Sequence, residues 1–442
     1  MKIKNYLSLI ITALVVVSCT DDVSDLEIVN QLSKKNNIRS YSEALGVAQN
    51  SISLLSTTTT RSGSGSREID TTKTRAITRP VTRDGSVEND TIIYVFNFKD
   101  DNGFALVSAS LATEELLAVT EKGNYFPNQP SEIEGFNEFV ELAEQYVRVA
   151  SSERRLHPDV EEPYNPELYR DSVVVTYAPV YQSFYEPPYR PFNWGQEFPE
   201  GEFCSNGCAG CVNVAIGEIM IFYSYPDSIQ LTYPDADKNS QVLDWQNIQH
   251  NIIPGFPILQ YTDTVTYYAV ARLERQIGYL TNSRYYYNFQ GIPVTGNDRD
   301  DIIPALEELN FSHGSWIPYM GHFVKSTMAM GQIFLVLGDL NSTEGHAWVL
   351  DHLIEKITTT YQLRWTERTG WVPTGEVNTT TSNLLHYNWG AYGSCNGYFN
   401  ENVYTISEAE ISDNTGWMTN GPSFNIDTRF LGNYSAPPLR HV

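Results

Sequence analysis

The chain has 442 residues, 41% hydrophobic and 19% charged, with 29 Gly and 22 Pro. It is long and apolar enough to bury cores in more than one domain, which excludes wholesale disorder and a fibrous repeat. Its 53 acidic against 29 basic side chains leave a formal charge of −24, which repels phosphate backbones and anionic membrane surfaces and makes nucleic acid a poor partner.

Lys2 and Lys4 precede an apolar run, Leu7 to Val17, too short to span a bilayer and of the length of a signal-peptide core. Residues 1–18 are therefore expected to be a signal peptide. The run ends in Val16-Val17-Ser18-Cys19. A small residue before a cysteine at this place resembles the lipobox of bacterial lipoproteins. The resemblance implies that Cys19 is the lipidated first residue of an exported chain, held to a membrane only by its lipid. Either the cell surface or the periplasmic face fits.

Ser56 to Arg83 is rich in Thr, Ser, Gly and Arg with few large apolar groups, and reads as a disordered basic loop, open to trypsin-like cleavage. Ile92 to Phe98, then Asp101-Asn102-Gly103, then Phe104 to Val107 predicts a β-hairpin. Leu116 to Val119 adds a strand. Phe136, Phe139, Val140, Ala143, Tyr146 and Val147 recur at helical spacing and predict a helix covering one face. Residues 19–160 thus form a small α+β leader domain. Arg154, Arg155, Pro158, Pro163 and Pro166 mark an exposed boundary, and 165–442 make a second, larger domain.

Cys204, Cys208 and Cys211 fall close together, and Cys395 stands apart. Cys211 begins the apolar helical pattern Val212 to Tyr223, which Tyr225-Pro226 ends. Backbone amides at a helix N-terminus favour a thiolate, so Cys211 occupies a nucleophile's position. A thiolate nucleophile needs an imidazole to share its proton and protonate the leaving group. His346 fits best, because Ile333 to Gly338 and Gly345 to Asp351 read as two strands of a hairpin with His346 at the start of the second. Leu384 to Gly390 is a further short strand, ending in Asn388 and Trp389, an amide and an indole able to orient and shield an imidazole. Upstream, Gln196 supplies an amide donor that can complete an oxyanion hole with the Cys211 backbone amide.

The segments Gly210-Cys211-Val212 through Met220, Gly345-His346-Ala347-Trp348-Val349 and His386-Tyr387-Asn388-Trp389-Gly390 together resemble the streptopain family of papain-like cysteine peptidases, over roughly residues 165 to 410. The hairpin near Asn102, with Leu106-Val107-Ser108 after it, is similar to the propeptide of that family. The resemblance implies an α+β papain-like fold, with a helical half carrying Cys211 against an antiparallel sheet carrying His346 and Asn388. It further implies Cys211 as nucleophile, His346 as general base and acid, Gln196 as oxyanion donor, and Asn388 with Trp389 framing the histidine. Protein substrates, an inhibitory propeptide, an activating protease, and no metal or organic cofactor follow from the same resemblance. Two departures, Ala391 to Cys395 after the Asn-Trp-Gly motif and His352 after Asp351, bear on the walls of the substrate cleft.

Cys208 is the rival nucleophile, but only Cys211 has the family's spacing to Met220. A zinc site at Cys204, Cys208 and Cys211 lacks a second ligand pair. Cys204, Cys208 and Cys395 are expected to be structural, with one disulfide among them and one thiol left over. His322 mimics the histidine motif but lacks a preceding apolar strand, and reads as a strand or loop histidine. Tyr285-Tyr286-Tyr287 reads as half-buried strand packing. The alternative function is a surface-exposed binding lipoprotein with an inactive peptidase fold, against which the intact set Cys211, His346, Gln196 and Asn388 argues.

Overall fold

The computed structural model describes residues 38–56, 67–83, 86–129, 131–156, 172–176, 180–183, 193–236, 239–250, 263–341, 344–366, 370–405 and 429–431. The expected signal peptide, Cys19 and the prolines of the boundary lie outside the described residues. Among those described, no helix is long and apolar enough to cross a membrane.

The leader opens with α1 (Tyr41–Ser56). Ser40 and Glu43 form a capping box, with the Ser40 amide donating to Glu43 Oε2 at 2.8 Å and the Glu43 amide to Ser40 Oγ at 3.3 Å. Four antiparallel strands follow: β1 (Arg75–Arg83), β2 (Ser86–Asn97), β3 (Phe104–Ser108) and β4 (Leu116–Thr120). The hairpin across Asn102-Gly103 is present as expected. The disordered loop expected to run to Arg83 is corrected in its last third, because Arg75–Arg83 pairs along its whole length with β2. Helix α2 (Glu134–Leu156) includes Arg154 and Arg155, so the boundary begins after them.

In the second domain β5 (Ser172–Thr176) and β6 (Val180–Ser183) precede α3 (Cys211–Tyr223), which Ser224 stops in a left-handed conformation, φ 47°. There follow β7 (Ser228–Gln230), β8 (Ser240–Val242), α4 (Trp245–His250) and α5 (Thr264–Leu280). Asp263 caps α5 by accepting from the Thr266 amide at 2.7 Å. Then come β9 (Arg284–Tyr287), β10 (Pro293–Gly296), α6 (Arg299–Glu308), β11 (Ile317–Pro318) and α7 (Gly321–Ala329). His322 is therefore helical, not in a strand or loop. Tyr286 and Tyr287 are exposed at 48% and 60%, so only Tyr285 of the tyrosine run packs as expected. The chain closes with β12 (Phe334–Asn341), β13 (Glu344–Thr366), β14 (Gly370–Asn388), β15 (Gly397–Asn400) and β16 (Arg429–Leu431). The strand bearing Asn388 is thus long rather than short, because Thr-rich segments on either side of 366–370 extend its hairpin with β13.

One twelve-stranded sheet runs through both domains in the order β1-β2-β3-β4-β15-β14-β13-β12-β16-β11, with β5 and β6 pairing to β13. The domains meet where β4 pairs with β15, Val119 opposite Tyr398 and Ala118 opposite Phe399. Side chains alternate across the sheet. In β13, Ala347 and Val349 face α3 and α5 in one core with Trp194, Ile216, Ile219 and Leu273. Trp348 and Leu350 face the other way, into a core shared with Phe136 and Phe139 of α2 and with Trp389 and Phe399. The result is a papain-like α+β arrangement in which the helix carrying Cys211 packs on one face of the sheet and the leader helix on the other.

Candidate active site

Cys211 is the first residue of α3, a helix buried almost all round whose only charged side chain is Glu218. Gly210 precedes it at φ 96°, a conformation that favours glycine, and a Cβ there would lie 2.8 Å from Thr295 Cβ. The β9–β10 hairpin therefore fixes the loop that delivers Cys211. Burial pushes the Cys211 thiol up to about 11, with the Ala347 amide working against that rise and Glu134 of the leader adding to it.

His346 stands near the start of β13, paired across to Gly338 of β12. It lies on the Trp348 face of the strand, with ring centroids 6.2 Å apart and planes 19° apart. The thiol meets the strand at the Ala347 amide, while the imidazole sits on the leader's side. Nε2 of His346 is engaged by the Trp389 backbone carbonyl at 3.0 Å. Burial pushes the imidazole below its ordinary value, opposed by that carbonyl and by Glu134 and Glu138. Both members of the pair are thus held neutral.

The leader closes this arrangement. A Cβ on Gly135 would lie 2.9 Å from His346 Cδ2 and 2.8 Å from Trp389 Cζ3. Glu138 is 2% exposed and packs against Gly338, opposite the histidine. Sequence reasoning missed Glu134, Gly135 and Glu138. The helical pattern around Phe136 and Phe139 shows that α2 covers something, but not what.

Trp389 is fully buried and donates its indole N–H to the Cys395 carbonyl at 3.0 Å. Asn388 points its Nδ2 at Glu218 Oε1, 2.8 Å away, and its Oδ1 accepts from the Gly390 amide at 3.2 Å and from Asn396 Nδ2 at 3.0 Å. The imidazole's hydrogen-bond partner in this state is thus the backbone of Trp389. Gln196 lies along the cysteine loop. Its carbonyl accepts from the Ala209 amide at 2.6 Å, and its side-chain oxygen faces Cys208 Sγ at 3.8 Å. Gly195 has the Tyr392 ring where a Cβ would be, at 2.0 Å, so the Ala391–Cys395 departure packs on the segment bearing Gln196. His352 is a correction: its Nδ1 meets the Tyr398 hydroxyl at 2.7 Å, on the buried side near the leader strands rather than at a cleft wall.

All four described cysteines are free, which corrects the expected disulfide. Burial pushes the Cys204 and Cys395 thiols up to about 12. Among the described residues no group of three or more His, Cys, Asp or Glu side chains is placed to hold a metal ion.

Residues 189–399 match the Peptidase C10 family, and residues 30–147 match the Spi protease inhibitor. Among solved structures the chain is similar to a prointerpain A fragment from Prevotella intermedia, at 18% identity and a TM-score of 0.43, over 81% of this chain and 98% of that one. No curated protein matches. With a Spi inhibitor domain in front of a Peptidase C10, or streptopain-family, domain, the chain has the make-up of a cysteine-type peptidase zymogen.

Proposed function

We propose that the chain is the precursor of an exported, lipid-anchored endopeptidase that uses Cys211 and His346 as its catalytic pair. The observation that carries this reading is the meeting of α3 and β13, where the thiol reaches the Ala347 amide and the imidazole stands at the same strand end beneath the leader helix.

In the released enzyme the imidazole would leave the Trp389 carbonyl and take the Cys211 proton. The thiolate then attacks the scissile carbonyl carbon, forming a C–S bond. The Cys211 amide, at the positive end of α3, and the Gln196 side chain stabilise the oxyanion. The imidazolium protonates the departing amine as the C–N bond breaks, leaving a thioester. Water, deprotonated by His346, adds to the thioester carbonyl, the C–S bond breaks to release the carboxylic acid product, and the imidazolium returns the proton to the thiolate. Asn388 and Trp389 hold and shield the imidazole through this cycle.

Latency follows from the same groups. A neutral thiol and a neutral imidazole, on opposite faces of a strand with α2 against the ring, cannot form the ion pair that attack requires. Cleavage by an activating protease in the boundary after α2 would release the leader. The reading is tested by casein hydrolysis after limited trypsin treatment. Cys211→Ala and His346→Ala should each lower the rate by at least about 1,000-fold, whereas an undiminished rate in Cys211→Ala would overturn it.

A further inference from the structure

Helix α3 buries one carboxyl side chain, and no proposed chemical role uses it. Glu218 is 0% exposed and lies seven residues along α3 from Cys211, a rise of about 10 Å, too far to touch the reacting atoms. The energetic cost of burying a carboxyl there is large unless it has partners. Its partner belongs to another piece of the proposed site: Oε1 takes the Nδ2 of Asn388 at 2.8 Å, while Oε2 has no hydrogen-bond partner among the described residues. Burial and the neighbouring Asp351 hold Glu218 well above the usual carboxylate range.

An asparagine amide has a donor end and an acceptor end, and which one faces an imidazole decides whether it can hold it. Glu218 accepts from the donor end. The Asn388 oxygen is thereby turned to Gly390 and Asn396, the Gly390 amide belonging to the same peptide whose carbonyl holds His346. With the amide reversed, its NH2 would face the Gly390 and Asn396 donors and its oxygen the carboxyl. We propose that Glu218 is a positioning residue that fixes the orientation of the Asn388 amide. This rests on the role proposed above for Asn388.

The test uses trypsin-activated full-length protein and a fluorogenic peptide that the wild type cleaves. Glu218→Leu removes the acceptor, and kcat should fall about 10- to 100-fold with KM changed less than about threefold. Glu218→Gln keeps a neutral acceptor of the same shape and should restore kcat to within about threefold. In an Asn388→Ala background Glu218→Leu should cost little further, because the group it orients is gone. Glu218→Asp, which withdraws the acceptor by one methylene, is the second variant should the leucine protein not fold, and it should lower kcat in the same non-additive way. Wild-type kcat in Glu218→Leu or Glu218→Asp, or a loss that stays undiminished beside Asn388→Ala, would overturn the proposal. The reading beneath it has a separate control, since activity in Cys211→Ala would refute that reading whatever Glu218 does.

Discussion

Gly135, the second residue of α2, is where a single atom decides how the leader seats. Its Cα passes so close to His346 and Trp389 that a side chain there must displace one of them. Gly135→Val should therefore unseat the start of α2, at a cost of about 1–3 kcal/mol in leader docking. The uncleaved precursor should then hydrolyse casein measurably without trypsin. A Gly135→Val precursor as silent and as heat-stable as the wild type would show that this contact does not hold the histidine. Tyr392 over Gly195 and Thr295 over Gly210 have the same character, each a ring or methyl group filling the space a Cβ would take, and each fixes a loop beside Cys211.

At the scale of elements, the β4–β15 seam carries a buried charge cluster. His386 Nδ1 meets Asp351 Oδ1 at 2.5 Å, and its Nε2 lies 3.6 Å from Glu121 Oε1, just past the end of leader strand β4. The Tyr398 ring stands 4.9 Å away, and His352 faces that tyrosine from β13. Burial alone would push the imidazole down, but Asp351 and Glu121 outweigh it and lift it to about 9. A folded value above the ordinary 6.5 means that the stabilisation is complete below pH 6.5 and lost as pH rises through 9. It amounts to about 3 kcal/mol. Urea denaturation of the precursor should show stability falling between pH 6.5 and 9, and falling less in Glu121→Gln, which removes one of the two carboxylates. Equal pH dependence in the two proteins would remove Glu121 from the cluster.

Much of the peptidase half was legible in the sequence because its signals are local. A thiol opening an apolar helical run, a histidine opening an apolar strand, and Asn388-Trp389-Gly390 closing another each stand in a few adjacent residues. Strand β1 was hidden because Thr and Arg dominate its composition. Yet Ile77, Thr78, Val81 and Thr82 are β-branched, and the sequence Asp-Gly that follows is of a type hairpin turns favour. Glu218 and Glu134 were illegible for a different reason. Their meaning depends on partners far off in sequence, Asn388 and the Cys211 thiol, which only the packed sheet brings to them.

Over the whole molecule, the leader is less a cap than a continuation of the enzyme. Its strands extend the peptidase sheet, and Phe136 and Phe139 complete a core with Trp348, Trp389 and Phe399. Releasing it must therefore expose apolar surface and also free the proposed imidazole. The central claim is that Cys211 is a nucleophile silenced by this packing, and intact-mass labelling with an irreversible thiol-directed peptidase inhibitor tests it most directly. The precursor should stay unlabelled near neutral pH, since its thiol is held near 11. After limited trypsin treatment one adduct should form, map to Cys211, and abolish casein cleavage. An adduct at Cys208 instead, or equal labelling of Cys211 before and after leader removal, would contradict the claim.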